Sequence, residues 1–380
     1  MRKMRTVLAS FAAFSLVLAA CGGDDDDDAA DDDTGVTEET GGTETATAEG
    51  TAETGGDTAT AAETDTAAET ATAAETATAA ETGTDTVDAS QGTDLTFHMV
   101  THSDDGPFWS VVQRGMEAAC EDLGVECVWL GSNNDPGVQV QMIEQAVGEG
   151  SDGIASALAS PDQLIPPLQA AVADGIPVIT LNSGSNDYES IGALTHVGQT
   201  EFIAGQGAGQ RFNDLGATKI LCGRQEESNV ALEERCDGLA DTFEGEVVSE
   251  FVGLDADQTE QQNQIAAALA ADPAIDGFMG TGPVIAVSGL NAATDAGREM
   301  AGIAGFDITP EIIDAIDAGT IAFTIDQQQY LQGYLPILLL YLYVTNLNVA
   351  GGGLPILTGP GFVDQTNAAQ VSELVTAGTR

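Results

Sequence analysis

The chain has 380 residues, 61 acidic and 10 basic, for a formal charge of −51. That length accommodates two domains, and a hydrophobic share of 43% can furnish a core for each. The acidity excludes a nucleic-acid binder, because phosphate recognition needs basic patches and repulsion would dominate here. Beyond Lys3 the only lysine is Lys219, which argues against a Schiff-base enzyme or a phosphate-gripping loop.

Three unlike pieces lie behind these averages. Residues 1–21 carry Arg2, Lys3 and Arg5 ahead of an apolar run from Val7 to Ala20. Crossing a bilayer takes roughly 20 apolar residues, so this run reads as a secretory signal. It ends in Leu18-Ala19-Ala20-Cys21, which resembles the lipobox of bacterial lipoproteins. Cys21 is therefore the expected lipidation site and mature N-terminus; the alternative is a soluble secreted protein cleaved near Ala20. Two or more acyl chains would hold the chain to a membrane.

Residues 22–93 are almost entirely Asp, Glu, Thr, Ala and Gly, with a six-residue repeat that starts at Ala61. No aromatic residue occurs there, so nothing offsets the entropy of ordering it. A disordered acidic linker spanning about 40–50 Å is expected. Residues 95–380 still hold 39 acids against 7 bases, so the folded part is acidic in its own right.

From Leu95 the pattern becomes that of alternating strands and helices. A strand is predicted over Leu95–Val100 and a helix over Phe108–Leu123, then a strand at Val125–Leu130 and a helix at Val138–Val147. Strand Gly153–Leu158, helix Leu164–Ala173 and strand Ile176–Leu181 follow, with Gly124, Gly150 and Gly175 as helix stops. The alternation restarts after Gly198: helices Phe202–Phe212, Val230–Phe243, Gln261–Ala271, Val284–Ala296 and Glu311–Ala318. Between and after them come strands Lys219–Cys222, Val247–Val252, Gly277–Gly280, Ala301–Phe306 and Ala322–Ile325. Apolar strands alternating with helices at this period indicate parallel sheets covered on both faces. The expected fold is α/β: two doubly wound, Rossmann-like lobes with a hinge and a cleft between them. The apolar run Tyr334–Val344 is too short to cross a membrane and is expected as a helix packed on the first lobe.

Five stretches then carry a resemblance: His102-Ser-Asp-Asp-Gly-Pro-Phe-Trp109, Gly175-Ile-Pro-Val-Ile-Thr-Leu-Asn-Ser183, Glu234-Arg-Cys-Asp-Gly238, Gly305-Phe-Asp-Ile-Thr-Pro-Glu311 and Gln327-Gln-Gln-Tyr-Leu-Gln-Gly333. In this order and spacing the chain resembles type I periplasmic binding proteins of the ribose/galactose kind, the substrate-binding subunits of ABC importers. The resemblance implies an N-terminal lobe of residues 94–197 plus 328–354 and a C-terminal lobe of residues 198–327 plus 355–380. It also implies a monomer outside the cytoplasm, a small sugar as ligand, an ABC permease as partner, and neither cofactor nor metal.

A sugar offers C–H-rich faces that suit aromatic rings and hydroxyls that suit planar charged or amide groups. The resemblance assigns Phe108 and Trp109 to stacking, although Trp109 could serve only the core of the first helix. Asn182 and Ser183 stand where the family often has an Asp-Arg pair, which removes a charged grip. Arg235 matches a hydroxyl-binding arginine, with Asn229 in the loop before it; a surface ion pair is the alternative for Arg235. Asp307 follows a strand, where it could instead cap a helix, and Gln327 lies at a crossing between lobes. Gly280-Thr-Gly-Pro283 replaces a family Asn-Asp, so backbone or Thr281 contacts are expected there. His102 and Asp105 complete the ligand set from the first cleft loop.

Four cysteines remain after Cys21 and allow three pairings. Local bonds, Cys120 with Cys127 and Cys222 with Cys236, are expected in an exported protein. An enzyme is disfavoured: only three histidines are present, and Ser183 lacks the glycine two residues before it that a nucleophile elbow requires. Gly205-Gln-Gly-Ala-Gly209 looks like a dinucleotide loop but sits inside a helix pattern, where close helix packing is the simpler account. The reading is an importer's binding protein; the alternative is a sensing protein that presents a sugar-like signal to a membrane receptor.

Overall fold

The computed structural model describes residues 94–104 and 106–380. The expected signal and linker, with Cys21, and the candidate Asp105 lie outside the described residues. The first half runs β1 (Thr96–Thr101), α1 (Gly106–Leu123), β2 (Glu126–Gly131), α2 (Pro136–Gly148), β3 (Gly153–Ala157), α3 (Pro161–Ala173), β4 (Val178–Leu181), α4 (Tyr188–Ile191) and β5 (His196–Gly198). The second runs α5 (Glu201–Leu215), β6 (Lys219–Arg224), α6 (Val230–Thr242), β7 (Glu246–Phe251), α7 (Gln258–Ala271), β8 (Gly277–Gly280), α8 (Pro283–Asp295), β9 (Gly302–Phe306), α9 (Pro310–Asp317) and β10 (Phe323–Asp326). After α10 (Gln329–Asn346) come a short 3-10 turn at Ala350–Gly353, β11 (Ile356–Leu357), β12 (Gly361–Asp364) and α11 (Ala368–Ala377).

The strands form two six-stranded sheets with the same winding: β11-β5-β4-β3-β1-β2 and β12-β10-β9-β8-β6-β7. Every pairing is parallel except that of β12 with β10. Strands β3, β4, β8, β9 and β10 are buried along their whole length, as a sheet covered on both faces requires. The predicted strand at Ile176 begins two residues later, because Pro177 has no N–H for the ladder; its carbonyl accepts from Ile154 instead.

Each sheet is packed on both sides. Phe97, Met99, Val112, Met116, Ile337 and Leu340 fill one side of the first, and Val100, Ile143, Ile154, Leu164 and Leu168 the other. Phe212, Leu239, Phe306 and Phe323 cover one face of the second, and Ile265, Phe278, Ile285, Ile312 and Ile316 the opposite one. A fully buried side chain of this kind contributes roughly 1.5–3 kcal/mol. Disulfides tie α1 to β2 (Cys120–Cys127, Cα–Cα 6.2 Å) and β6 to α6 (Cys222–Cys236, 5.9 Å).

The chain passes between the sheets three times, before α5, before α10 and between β11 and β12. The last passage corrects the expected boundary at 354/355. Ile356 and Leu357 pair with Val197 and Gly198 of β5, because the open edge of that parallel sheet takes a final strand before the chain leaves. The three passages are stitched together: Thr358 N–H donates to the Gly198 carbonyl (2.8 Å), and Gln328 Nε2 donates to the Thr358 carbonyl (2.7 Å).

Candidate functional site

In both sheets the strand order reverses beside the first strand of the half, β1 or β6. Loops there diverge and leave a crevice at the carboxyl ends of the strands. The two crevices face each other across a cavity of about 360 Å³.

The first lobe supplies the aromatic wall. The loop after β1 carries His102 and the first turn of α1 carries Phe108 and Trp109, and all three line the cavity. Trp109 meets both His102 and Phe108 edge to face, each at 4.9 Å, and leans on Trp129 at 6.1 Å. It is 5% exposed and part of the core, so the two alternatives for it merge: the core holds the ring that borders the cavity. Asn182, in a left-handed conformation at the end of β4 (φ 60°), also lines it.

The second lobe brings charge. Asn229 caps α6 by accepting from the Ala231 N–H (3.0 Å) and donates through Nδ2 to Glu226 Oε2 (2.6 Å). Two turns on, Arg235 is held on every side. Its Nε donates to Glu201 Oε2 (2.6 Å), Nη2 to Glu201 Oε1 (3.1 Å) and Nη1 to the Thr281 carbonyl (2.6 Å). The guanidinium lies over the Phe306 ring at 4.3 Å. Glu201 begins α5, is 1% exposed and takes a further bond from Gln199 Nε2 (2.8 Å). The ion pair that was the alternative for Arg235 is therefore present, but it is buried and bidentate rather than on the surface, and Arg235 still borders the cavity.

Asp307 leaves β9 in a left-handed conformation (φ 67°) and accepts from Gln327 Nε2 at 2.8 Å. It is not the helix cap; Thr309 has that place at α9. Gln327 Oε1 accepts from Gln332 Nε2 (2.8 Å) and Asn182 Nδ2 (3.4 Å), joining the crossing to the first lobe.

Burial sets the electrostatics. It pushes the Asp307 carboxyl up to about 7, with Arg235 and Gln327 only partly opposing. For Glu226 burial acts in the same direction, but His102, Asn229 and Arg235 outweigh it and hold the group below the ordinary carboxylate range. For Arg235 burial works against the charge, and Glu201 more than offsets it.

Eight of the sequence-derived candidates therefore border one cavity: His102, Phe108, Trp109, Asn182, Asn229, Arg235, Asp307 and Gln327. Ser183 and Thr281 do not. Ser183 Oγ is turned to Asn182 Oδ1 (3.1 Å) and Asn229 Oδ1 (3.3 Å). Thr281 Oγ1 donates to Gln225 Oε1 (2.6 Å), while its carbonyl braces Arg235. Both stand behind the wall because their hydroxyls are spent on neighbours. Sequence reasoning missed Asn133, Asn134, Gln225 and Glu226 in the lining, and Glu201 and Gln332 behind it. Position after β2 and β6 was the available signal for the lining residues, since those strand ends face the crevice.

The lobes touch around the cavity. Val230 N–H donates to the Ala159 carbonyl (3.1 Å), Asn186 Nδ2 to Glu234 Oε1 (2.7 Å), and Asn229 Nδ2 lies 3.3 Å from His102 Nε2. Among the described residues no cluster of His, Cys, Asp and Glu could hold a metal ion, and no helix is long and apolar enough to cross a membrane.

Comparison with known proteins agrees with this architecture. Residues 97–347 match the periplasmic binding protein domain. The chain is 30% identical over 286 residues to the xylose/arabinose-binding protein XylF of Sulfolobus acidocaldarius, covering 70% of each chain. It is 25% identical to the ribose import binding protein RbsB of Haemophilus influenzae, covering 66% of this chain and 86% of that one. Among solved structures, a carbohydrate transporter from Acidothermus cellulolyticus 11B in complex with myo-inositol is 38% identical. It superposes with a TM-score of 0.73 over 75% of this chain and 99% of that one. On these grounds, and with two matching lobes closed on one cavity, the chain belongs to the periplasmic binding protein family.

Proposed function

We propose that this protein captures a small, uncharged polyhydroxylated molecule, a simple sugar or related polyol, between its lobes and delivers it to an ABC permease. In this reading it works outside the cytoplasm as a monomer, is held to the membrane by lipid on Cys21, and makes no chemical change to its ligand. The observation that carries the proposal is the composition of the cavity wall. Rings of Phe108 and Trp109 stand on the first lobe, while planar donors and acceptors of Arg235, Asp307, Asn229 and Gln327 come from the second lobe and the crossing. Such a wall can stack on a sugar's C–H face and pair with neighbouring hydroxyls at once. A volume of about 360 Å³ suits one small ring. The sugar-binding relatives named above support the ligand class, and the lipobox-like Leu18–Cys21 supports the anchor.

A thermal-shift screen against pentoses, hexoses, deoxy sugars and inositols tests it. At a hundredfold excess over its Kd, a true ligand stabilises by about 2.7 kcal/mol, or roughly 4–5 °C for a folded part of this size. A panel in which no member moves the melting temperature would sink the proposal.

A further inference from the structure

We infer that Glu201, which does not line the cavity, sets the charge class of the ligand by neutralising Arg235 from behind. Among the described residues that line the cavity, Arg235 is the only arginine or lysine. An arginine presented to a ligand is ordinarily a carboxylate or phosphate receptor, because its fork matches two anionic oxygens. Here the Nε–Nη2 edge that would make that match is already occupied by a carboxylate of the protein itself, at 2.6 and 3.1 Å. The Nη1 side goes to the Thr281 carbonyl, and Phe306 covers one face of the guanidinium. What remains for the cavity is a set of fixed N–H donors whose charge is cancelled within a few ångströms. Glu226 and Asp255 line the same space, so an incoming anion would meet carboxylates beside a guanidinium that already has its counter-charge. Donors of this kind suit hydroxyls and reject sugar acids. Gln199, which donates to Glu201 at 2.8 Å, keeps the carboxylate in register with Arg235.

This inference rests on the reading of the cavity as a sugar site, and the experiment separates the two. Glu201→Gln and Glu201→Asp are compared with the wild type in calorimetric titrations. The neutral probes are D-xylose, D-ribose, D-galactose, D-glucose and myo-inositol; the anionic probes are D-galacturonate and D-glucuronate. The wild type should bind at least one neutral probe and discriminate against both uronates. In Glu201→Gln the ratio of uronate to neutral affinity should rise about tenfold or more, as Arg235 loses its bidentate counter-charge. Glu201→Asp keeps the charge, so it should retain the neutral preference even where overall affinity drops. A positional role alone would weaken all probes together and leave the ratio in place. An unchanged ratio in Glu201→Gln therefore overturns the inference while the sugar reading stands, and a wild type that binds no neutral probe overturns both. Should Glu201→Gln lose its cooperative melting transition, recovery of that transition by a uronate and not by neutral sugar supports the inference; recovery by neither overturns it.

Discussion

Asp307 shows how burial and partners share control of one carboxyl. Its ordinary value of 3.8 is pushed to about 7 by burial, although Arg235 and Gln327 pull the other way. The folded state therefore keeps a proton that the unfolded chain releases near pH 4. Between about pH 4 and pH 7 the native state binds more protons, so this group's contribution to stability falls as pH rises and levels off above 7. His196, buried and lowered to about 3, acts oppositely, with its contribution lost as pH falls from 6.5 toward 3. Comparing Asp307→Asn with the wild type isolates the first effect, because His196 is common to both. Melting temperatures at pH 5, 6, 7 and 8 should show the wild type losing ground to the variant as pH rises; parallel profiles would contradict the assignment. Arg235, Asp307 and Gln327 were legible in the sequence because each follows a recognisable strand or family stretch. Glu201 was not. Thr200-Glu201-Phe202 resembles many solvent-facing helix starts, and its partner lies 34 residues further on.

At the scale of elements, both lobes use glycine to bring two helices into contact. In the second lobe, a Cβ at Gly205 of α5 would run into the Arg235 carbonyl oxygen, and one at Gly238 of α6 into the Phe202 carbonyl oxygen. Gly115 of α1 and Gly333 of α10 meet backbone in the same manner in the first lobe. This accounts for Gly205 and Gly209, while Gly207 leaves room for the Phe362 ring; the run resembles a nucleotide loop only in spacing. It also couples packing to the site, since α5 begins with Glu201 and α6 carries Arg235. Gly205→Ala should cost about 1–3 kcal/mol by overpacking and should also lower sugar affinity, because the obstructed atom belongs to Arg235. Denaturant melts and calorimetry on one variant check both, and an alanine accepted without loss in either would contradict this coupling. Most strands and helices were readable from periodicity. β5, β11 and β12 were not, because they are short and none carries the continuous apolar run that marked β4 and β10, strands equally short or little longer. α10 starts five residues before its apolar run, since Gln329, Gln332 and Gly333 look polar in sequence yet are buried, Gly333 against α1 and Gln332 against Gln327 and Thr358.

At the scale of the molecule, the two halves repeat one winding and meet at corresponding strand ends. That repetition was visible as two runs of strand–helix alternation. The exact crossing was not, because it depends on which sheet edge accepts β11. The lobes touch through Val230, Ser183 and His102, the arrangement that a ligand contacting both would favour. Its affinity for the shut arrangement over the open one sets how far it can shift the balance. Whether the cavity is a sugar site is decided by a crystal structure of the protein grown with the strongest ligand of the thermal-shift screen. One sugar or polyol is expected between the lobes, its ring face against Phe108 or Trp109 and its hydroxyls bonded to Arg235 and Asp307. A ligand seated on another surface, or absent from the cavity while the protein is saturated in solution, would contradict it.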